Sequence, residues 1–478
     1  MTTLNSENIN KGNMSSPSTL LRCLQIAWPV SLQSVLAAAL GMIDIIMVSH
    51  LGESAVAGIG LASRIQFVLL MVGGAFSVTA GIVVAQYIGA QKAHAVSSII
   101  AQILIVAVGL MLPLILLCNI FGVALIELGS DDMDVITISS SYLTITLPSL
   151  LVLLVYQVFE GALRGLAQVL VPMMLGAVAM LINVLLNYLL INGVTLGDST
   201  LITAMGTDGA AWATSLSRGI LLFLLLAWLV QQKHLCLPRN KTIKLKNPEC
   251  DWSSIIKISL PVAINFAVWS LGTFVYQIIF GSLGTQALAI MSMLAPIEGT
   301  LISLFIGFST ACSVLTGQKL GNNQMDSAYR LGRNLTYIIT GIALLTGGLV
   351  WLFQELLLAP FASYEQHTLE LAAQILLIMC LGIAIKTANM TMSLGVLRSG
   401  ADNRFCLMTD TLGMWMVGIP LTWYLAGSTG TLLWVFIATY SEEVTKYLLF
   451  AWRMHSKKWL RNITQKPADI PCAEAQMP

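Results

Sequence analysis

The sequence predicts an all-α membrane protein, with twelve transmembrane helices in two six-helix lobes related by pseudo-two-fold symmetry. Composition, the spacing of apolar stretches and an internal repeat predict it. Of 478 residues, 56% are hydrophobic and only 10% charged, against roughly 25% charged in soluble domains. A water-soluble globule is excluded. The formal net charge of +1, with no long run of one sign, gives no electrostatic footprint for a nucleic acid. The eight cysteines include no C-x-x-C, so neither a zinc site nor a disulfide framework is suggested.

About 20 apolar residues cross roughly 30 Å of hydrocarbon. Twelve such stretches have cores near 24–48, 57–87, 97–122, 135–159, 168–192, 208–230, 254–280, 287–317, 330–356, 370–396, 405–426 and 431–452. They divide the chain into a polar, disordered leader (1–19) without a signal-peptide pattern, an N-lobe (20–230), a basic linker (231–252), a C-lobe (253–455) and a tail (456–478). Lys92, Arg164, the linker, Lys319, Arg330, Arg333, Arg398, Arg404 and Arg453 all fall on one side if the helices alternate. By the positive-inside rule that side is cytoplasmic, and both termini lie there.

The repeat appears when helices 1 and 2 are laid on 7 and 8. Pro29, Gly52, Gln86 and Gly89 match Pro261, Gly284, Gln318 and Gly321, each 232 residues on. Six helices separate the copies, so both have the same orientation and are related by an axis along the membrane normal, which places a cavity between them.

Helix 1 carries the most informative residue, Asp44, flanked by Met42, Ile43, Ile45, Ile46 and Met47. A carboxylate in hydrocarbon costs roughly 2.5 to 3.5 kcal/mol, so it usually faces a partner, a cavity or a proton path. An interfacial acid that reaches outside water is the alternative. Desolvation favours the neutral acid, which suits Asp44 to proton exchange. Its repeat equivalent is Tyr276, so only one lobe carries the acid there. Pro29, near the inner end, is either a first-turn residue or a hinge.

The remaining candidates follow in order. Tyr156 and Glu160 lie on helix 4, and Arg218 on helix 6 is a candidate partner for Glu160. Asn183 and Asn187 on helix 5 are four apart and share a face; they either complete a site around Asp44 or join helices, and Thr214 on helix 6 adds a hydroxyl. Trp269 and Tyr276 on helix 7, with Tyr156, offer aromatic faces to flat cations. In the second lobe Glu298, Lys386, Asp410, Glu442, Glu443 and Lys446 read mainly as a structural charge network. Glu442 and Lys446 are spaced as an ion pair, and Glu298 stands out because no partner is near it in sequence. The five histidines lie near loops or termini, which argues against a membrane-embedded enzyme. A channel is disfavoured because an acid in one lobe breaks the symmetry a pore would often use.

The chain resembles the multidrug and toxic compound extrusion (MATE) family from about Leu24 to Trp452. The resemblance rests on Pro29 with Gly41-Met-Ile-Asp44, Gln86-Tyr-Ile-Gly89, Leu163-Arg164-Gly165, Asn183 to Asn187-Tyr188, Gly209 to Thr214 and Leu397-Arg398. It implies a V-shaped pair of lobes that exports cationic drugs in exchange for H⁺ or Na⁺. Asp44 matches the family's cation-coupling aspartate, Asn183, Asn187 and Thr214 its companion polar cluster, and Pro29 its proposed bending point. In one bacterial and archaeal branch the Asn187 position is an aspartate. Two departures matter: the acids of the carboxy-lobe Na⁺ site are replaced by Trp269 and Thr387.

The expectation is therefore a multidrug antiporter of the inner membrane, not an enzyme, without a cofactor. Coupling runs through Asp44 and fits H⁺ better than Na⁺, although oxygens of Asp44, Asn183, Asn187 and Thr214 suit Na⁺ as well. Tyr156, Glu160, Trp269, Tyr276 and Glu298 are candidates for the substrate cavity. Expected partners are hydrophobic or cationic small molecules and the lipid bilayer, and a monomer is expected. A flippase for lipid or lipid-linked oligosaccharide, with a strongly basic cavity, is the alternative.

Overall fold

The computed structural model describes residues 17–127, 129–196, 199–237, 252–361 and 364–465. Most of the expected leader (1–16), most of the linker (238–251) and the end of the tail (466–478) lie outside the described residues. Twelve long helices are present among those described: α1 Pro17–Val48, α2 Glu53–Gly89, α3 Val96–Glu127, α4 Met133–Gly165, α5 Leu170–Asn192, α6 Gly206–Gln231, α7 Trp252–Ser282, α8 Thr285–Gly321, α9 Met325–Leu352, α10 Gln366–Gly400, α11 Asn403–Thr429 and α12 Leu432–His455. A two-stranded hairpin, β1 Val194–Leu196 and β2 Ser199–Ile202, joins α5 to α6. Eleven of the helices are long and apolar enough to cross a membrane; α12 carries Glu442, Glu443 and Lys446 near its middle.

α1 begins at Pro17, inside the stretch expected to be disordered. Pro29 stands in the interior of this helix, which runs unbroken past it. The first-turn reading of Pro29 is thereby overturned: a proline here removes a ladder hydrogen bond within the helix. Neighbouring Ala27 and Val30 are buried in the apolar core of the second half, with Phe305 and Leu301 of α8.

Each half lends its first helix to the other. The start of α1 packs on α8, while Ile255, Ile258, Val262 and Ala263 of α7 join the core of the first half. Gly307 permits the α1–α8 crossing, because a Cβ there would meet the amide of Ser31 at 2.6 Å. Ser31 Oγ donates to Leu304 O at 2.5 Å across the same crossing.

The repeat also preserves contacts. A Cβ on Gly161 of α4 would overlap the Ser77 backbone of α2, its carbonyl carbon at 2.7 Å, and one on Gly395 of α10 would lie 3.0 Å from Ser309 O of α8. Ser77 and Ser309 are repeat equivalents, so the two halves use the same small-residue packing.

Inter-half hydrogen bonds gather at the end that bears the termini. Arg22 reaches Gln318 Oε1 at 3.3 Å, and Gln86 Nε2 donates to Ser399 O at 2.6 Å. The start of the tail is held there. Trp459 is fully buried, Gln86 Nε2 also donates to Arg461 O at 3.2 Å, and Gln86 Oε1 accepts from Ile463 N at 2.9 Å. Lys92 Nζ donates to Thr464 O at 3.1 Å, and Asn462 Nδ2 to Gly321 O at 3.1 Å. Residues 456–465 thus clasp both halves.

Candidate functional site: a charged cavity between the halves

Between the halves lies a cavity of about 1530 Å³. Its wall includes Asp44, Asn183, Thr214, Tyr156, Glu160, Trp269, Tyr276 and Glu298, so most of the candidate residues share one space. Pro29 is not on that wall.

On the first half, α1, α5 and α6 bring a polar chain together. Asn187 Nδ2 donates to Asp44 Oδ1 at 2.6 Å and to Asn183 Oδ1 at 3.1 Å. Asn183 Nδ2 in turn donates to Ser217 Oγ at 3.1 Å. The four-residue spacing on α5 stacks the two amides one turn apart, both 1% exposed. Thr214 is on the same wall, but its hydroxyl lies beside Tyr142. Arg218 lies close enough to interact with Asp44 and bonds Ser149 Oγ at 2.8 Å.

Glu160 is paired with Arg164, not with the Arg218 suggested by the sequence. Arg164 sits four residues on, one helical turn away, with its Nη2 2.5 Å from Glu160 Oε1. Gln33 of α1 donates to the same oxygen at 2.6 Å and lies 3.4 Å from Tyr156 Oη.

The second half carries a denser network. Lys446 pairs with Glu442 as the spacing predicts, and Tyr276 Oη donates to Glu442 Oε2 at 2.6 Å. Asp410 accepts from Asn265 at 2.8 Å and lies 3.7 Å from Arg398 and 3.8 Å from Lys446. Glu298 finds its partner in Lys386, 88 residues away, and that ammonium stands 5.1 Å from the Tyr440 ring centroid. Glu443 accepts from Asn389 at 2.7 Å.

Local backbone makes room for this network. α10 and α11 each contain a π-helical stretch, Thr391–Leu397 and Leu412–Gly418, a form often found at functional sites. Gly413 and Gly418 occur within or at the end of the second; a Cβ on them would meet Lys446 Cγ and Glu442 Cβ, each at 2.9 Å. Sequence reasoning missed Gln33, Tyr142, Ser217, Asn265 and Asn389. All are polar residues inside apolar stretches, which is the signal that could have found them.

The MatE family model matches residues 29–189 and again 261–424. The chain belongs to the MatE family. Its two matches start on Pro29 and Pro261, the same pair that opens the internal repeat, and this is a family of transporters, not enzymes. The probable multidrug resistance protein NorM of Photorhabdus laumondii subsp. laumondii is 24% identical over 410 residues, 85% of this MatE chain and 88% of that one. The human multidrug and toxin extrusion protein 1 is 25% identical over 406 residues, 83% of this chain and 68% of that one. Among solved structures, the Vibrio cholerae MATE transporter VcmN in its bent form superposes with a TM-score of 0.81 at 18% identity, over 94% of this chain and all of that one. The shared fold is the two-lobe, twelve-helix arrangement.

Proposed function

We propose that this MatE transporter is a multidrug efflux antiporter, exporting organic cations or other toxic compounds in exchange for H⁺, with Na⁺ the alternative ion. One observation carries the reading. Asp44 stands on the wall of the cavity with an amide as its hydrogen-bond partner and, among the described residues, no cation within ion-pair distance. Its carboxylate is therefore available to an incoming cation or a proton.

The relatives' names speak of multidrug resistance, which fits a roomy cavity lined by Met, Phe, Trp and Tyr side chains. When deprotonated, Asp44 attracts a substrate cation or polarises the cavity. Protonation from outside removes that charge and favours release. Exchange requires that proton and substrate prefer different states or compete for one site. The twelve charged residues on the cavity wall are six acids and six bases, which does not give the strongly basic cavity expected of a flippase.

In this reading the protein sits in the inner membrane with both termini cytoplasmic. The end fastened by Gln86 and the tail is then cytoplasmic, and Pro29 lies in the half of α1 that would bend. Replacing Asp44 by Asn should abolish drug resistance in cells without lowering the amount of protein in the membrane. Wild-type resistance in that variant would overturn the reading. Uptake of a fluorescent cation into inside-out vesicles, under separate pH and Na⁺ gradients, identifies the ion.

A further inference from the structure

We propose that residues 461–464 form a releasable hook: the tail stays anchored in the second half and lets go of the first each time the halves part at the terminus-bearing end. The inference rests on the antiport reading above and deepens it, since exposing the cavity alternately to the two sides requires that end to part.

Chain continuity and burial place the anchor in the second half. The tail leaves α12 directly, and the fully buried Trp459 belongs to the apolar core of that half, with Met454 beside it and Leu460 at the edge. Trp459 Nε1 donates to Met454 O at 3.2 Å, and a Cβ on Gly400 would meet the Trp459 carbonyl carbon at 2.9 Å. Lys457 lies 3.6 Å from Asp326 and 4.9 Å from the Tyr329 ring centroid, both on α9.

The hold on the first half is different in kind. It consists of Gln86 with Arg461 O and Ile463 N, of Lys92 with Thr464 O, and of the half-buried Ile463 side chain, which packs on the first-half core. Such polar bonds exchange for bonds to water at small net cost. Freeing a half-buried isoleucine exposes less apolar surface than freeing a buried tryptophan. Release therefore occurs at the first half.

Asn462 keeps the hook in shape and ties it to the anchored side. Its Oδ1 accepts from Thr464 N at 2.9 Å and from Thr464 Oγ1 at 2.7 Å. Its Nδ2 donates to Gly321 O at 3.1 Å and to Asn323 Oδ1 at 2.7 Å, both in the second half. The hook thus leaves Gln86 and Lys92 as a preformed turn and finds them again without refolding.

The internal repeat points the same way. Gln86 and Gln318 are equivalents, and each meets a terminal segment: Gln86 the tail behind α12, Gln318 the start of α1 through Arg22. The bond of Gln318 is a single exposed one at 3.3 Å, whereas Gln86 is fully buried and makes three. The tail contact is the stronger of the two, so the hook sets how readily this end parts.

Spin-label distances in the full-length protein in lipid, at cysteines introduced on a background without the eight native ones, test the hook without substrate. Ala93→Cys with Gln465→Cys reports hook to first half, and Arg330→Cys with Gln465→Cys reports hook to second half. The Ala93 pair should have a second, longer distance that the Arg330 pair lacks. Ile463→Asp sets a charge against the first-half core and should raise that population about tenfold. An Ala93 pair as narrow as the Arg330 pair, in both the wild-type and Ile463→Asp backgrounds, overturns the proposal. Broadening confined to the Arg330 pair overturns it too, because the anchor then lies in the first half. A short bifunctional maleimide across Ala93→Cys and Gln465→Cys should stop tetraphenylphosphonium transport in vesicles, while the same reagent across Asp326→Cys and Lys458→Cys, within the second half, should leave it unchanged. Undiminished transport through the first tether refutes release. If the untethered protein moves no tetraphenylphosphonium, the antiport reading fails separately, and the distances still decide the hook.

Discussion

Gly89 and Gly321 meet at the pseudo-two-fold axis, each packed against the backbone of the other's helix. A Cβ on Gly89 would overlap Gln318, its carbonyl carbon at 2.7 Å, and a Cβ on Gly321 would overlap Gln86, its carbonyl carbon at 2.8 Å. Gly89 and Gly321 are repeat equivalents, and so are Gln86 and Gln318. The contact is therefore reciprocal, made twice by one motif, and it joins the two halves at the end that bears the termini.

Gly89→Ala should push α2 and α8 apart at that end, because the methyl meets backbone and not a side chain that can turn away. Overpacking of this kind costs about 1 to 3 kcal/mol. Gly321→Ala should behave alike. Spin-label distances between the ends of α2 and α8 should lengthen in both variants, while an Ala at Gly109, whose added Cβ would meet nothing within 4 Å among the described residues beyond its own stretch of helix, should leave them unchanged.

The tail is a second fastening of the same end. Gln86 makes three hydrogen bonds to the backbone of Ser399, Arg461 and Ile463, and each buried bond contributes about 1 kcal/mol. Gln86→Leu should release residues 461–464, and hydrogen exchange there and at the ends of α2 and α8 should rise. Truncation before Trp459 should raise it further, since Trp459 is fully buried and its carbonyl packs on Gly400.

The fold was legible because hydrocarbon demands long apolar helices, and because Pro29, Gln86 and Gly89 recur unchanged in number and spacing. Asp44, Asn183 and Asn187 were legible for a related reason: a polar residue inside an apolar stretch is conspicuous, and a spacing of four fixes a shared face. Partners remote in sequence were not. Glu298 and Lys386 are 88 residues apart, and Asn389 and Glu443 are 54 apart, so only the packing of α8, α10 and α12 brings them together. The exchange of α1 and α7 between the halves was hidden too, because hydropathy says that a helix is buried in lipid but not which neighbour it touches.

Breaking the Lys446 ion pair should be more costly than replacing both partners. Lys446 and Glu442 side chains are 6% and 5% exposed, and Lys446 also lies 3.8 Å from Asp410. Lys446→Met leaves two carboxylates without their shared base, which should cost about 3 to 5 kcal/mol, whereas Lys446→Met with Glu442→Gln should recover a large part. Thermal unfolding of both variants in detergent measures the difference.

His234 gives a pH dependence outside the membrane helices. Its Nε2 lies 3.0 Å from Gln168 Oε1, and its Nδ1 accepts from Cys236 N at 3.3 Å. This pattern needs the neutral ring with the proton on Nε2, since a protonated Nδ1 cannot accept. Burial also disfavours the charge and holds the imidazole below its ordinary value of 6.5. The unfolded chain therefore binds this proton more readily than the folded one, so stability rises with pH through the window between the two values. The contribution is complete above about pH 6.5 and is lost as pH falls towards the folded value. Trp228, 5.5 Å from the His234 ring, reports the change. Its fluorescence should be quenched by protonation with a midpoint below that of a free imidazole, and His234→Gln should remove the transition. A midpoint at or above the free value would mean that the ring is not held in this neutral hydrogen-bonded form.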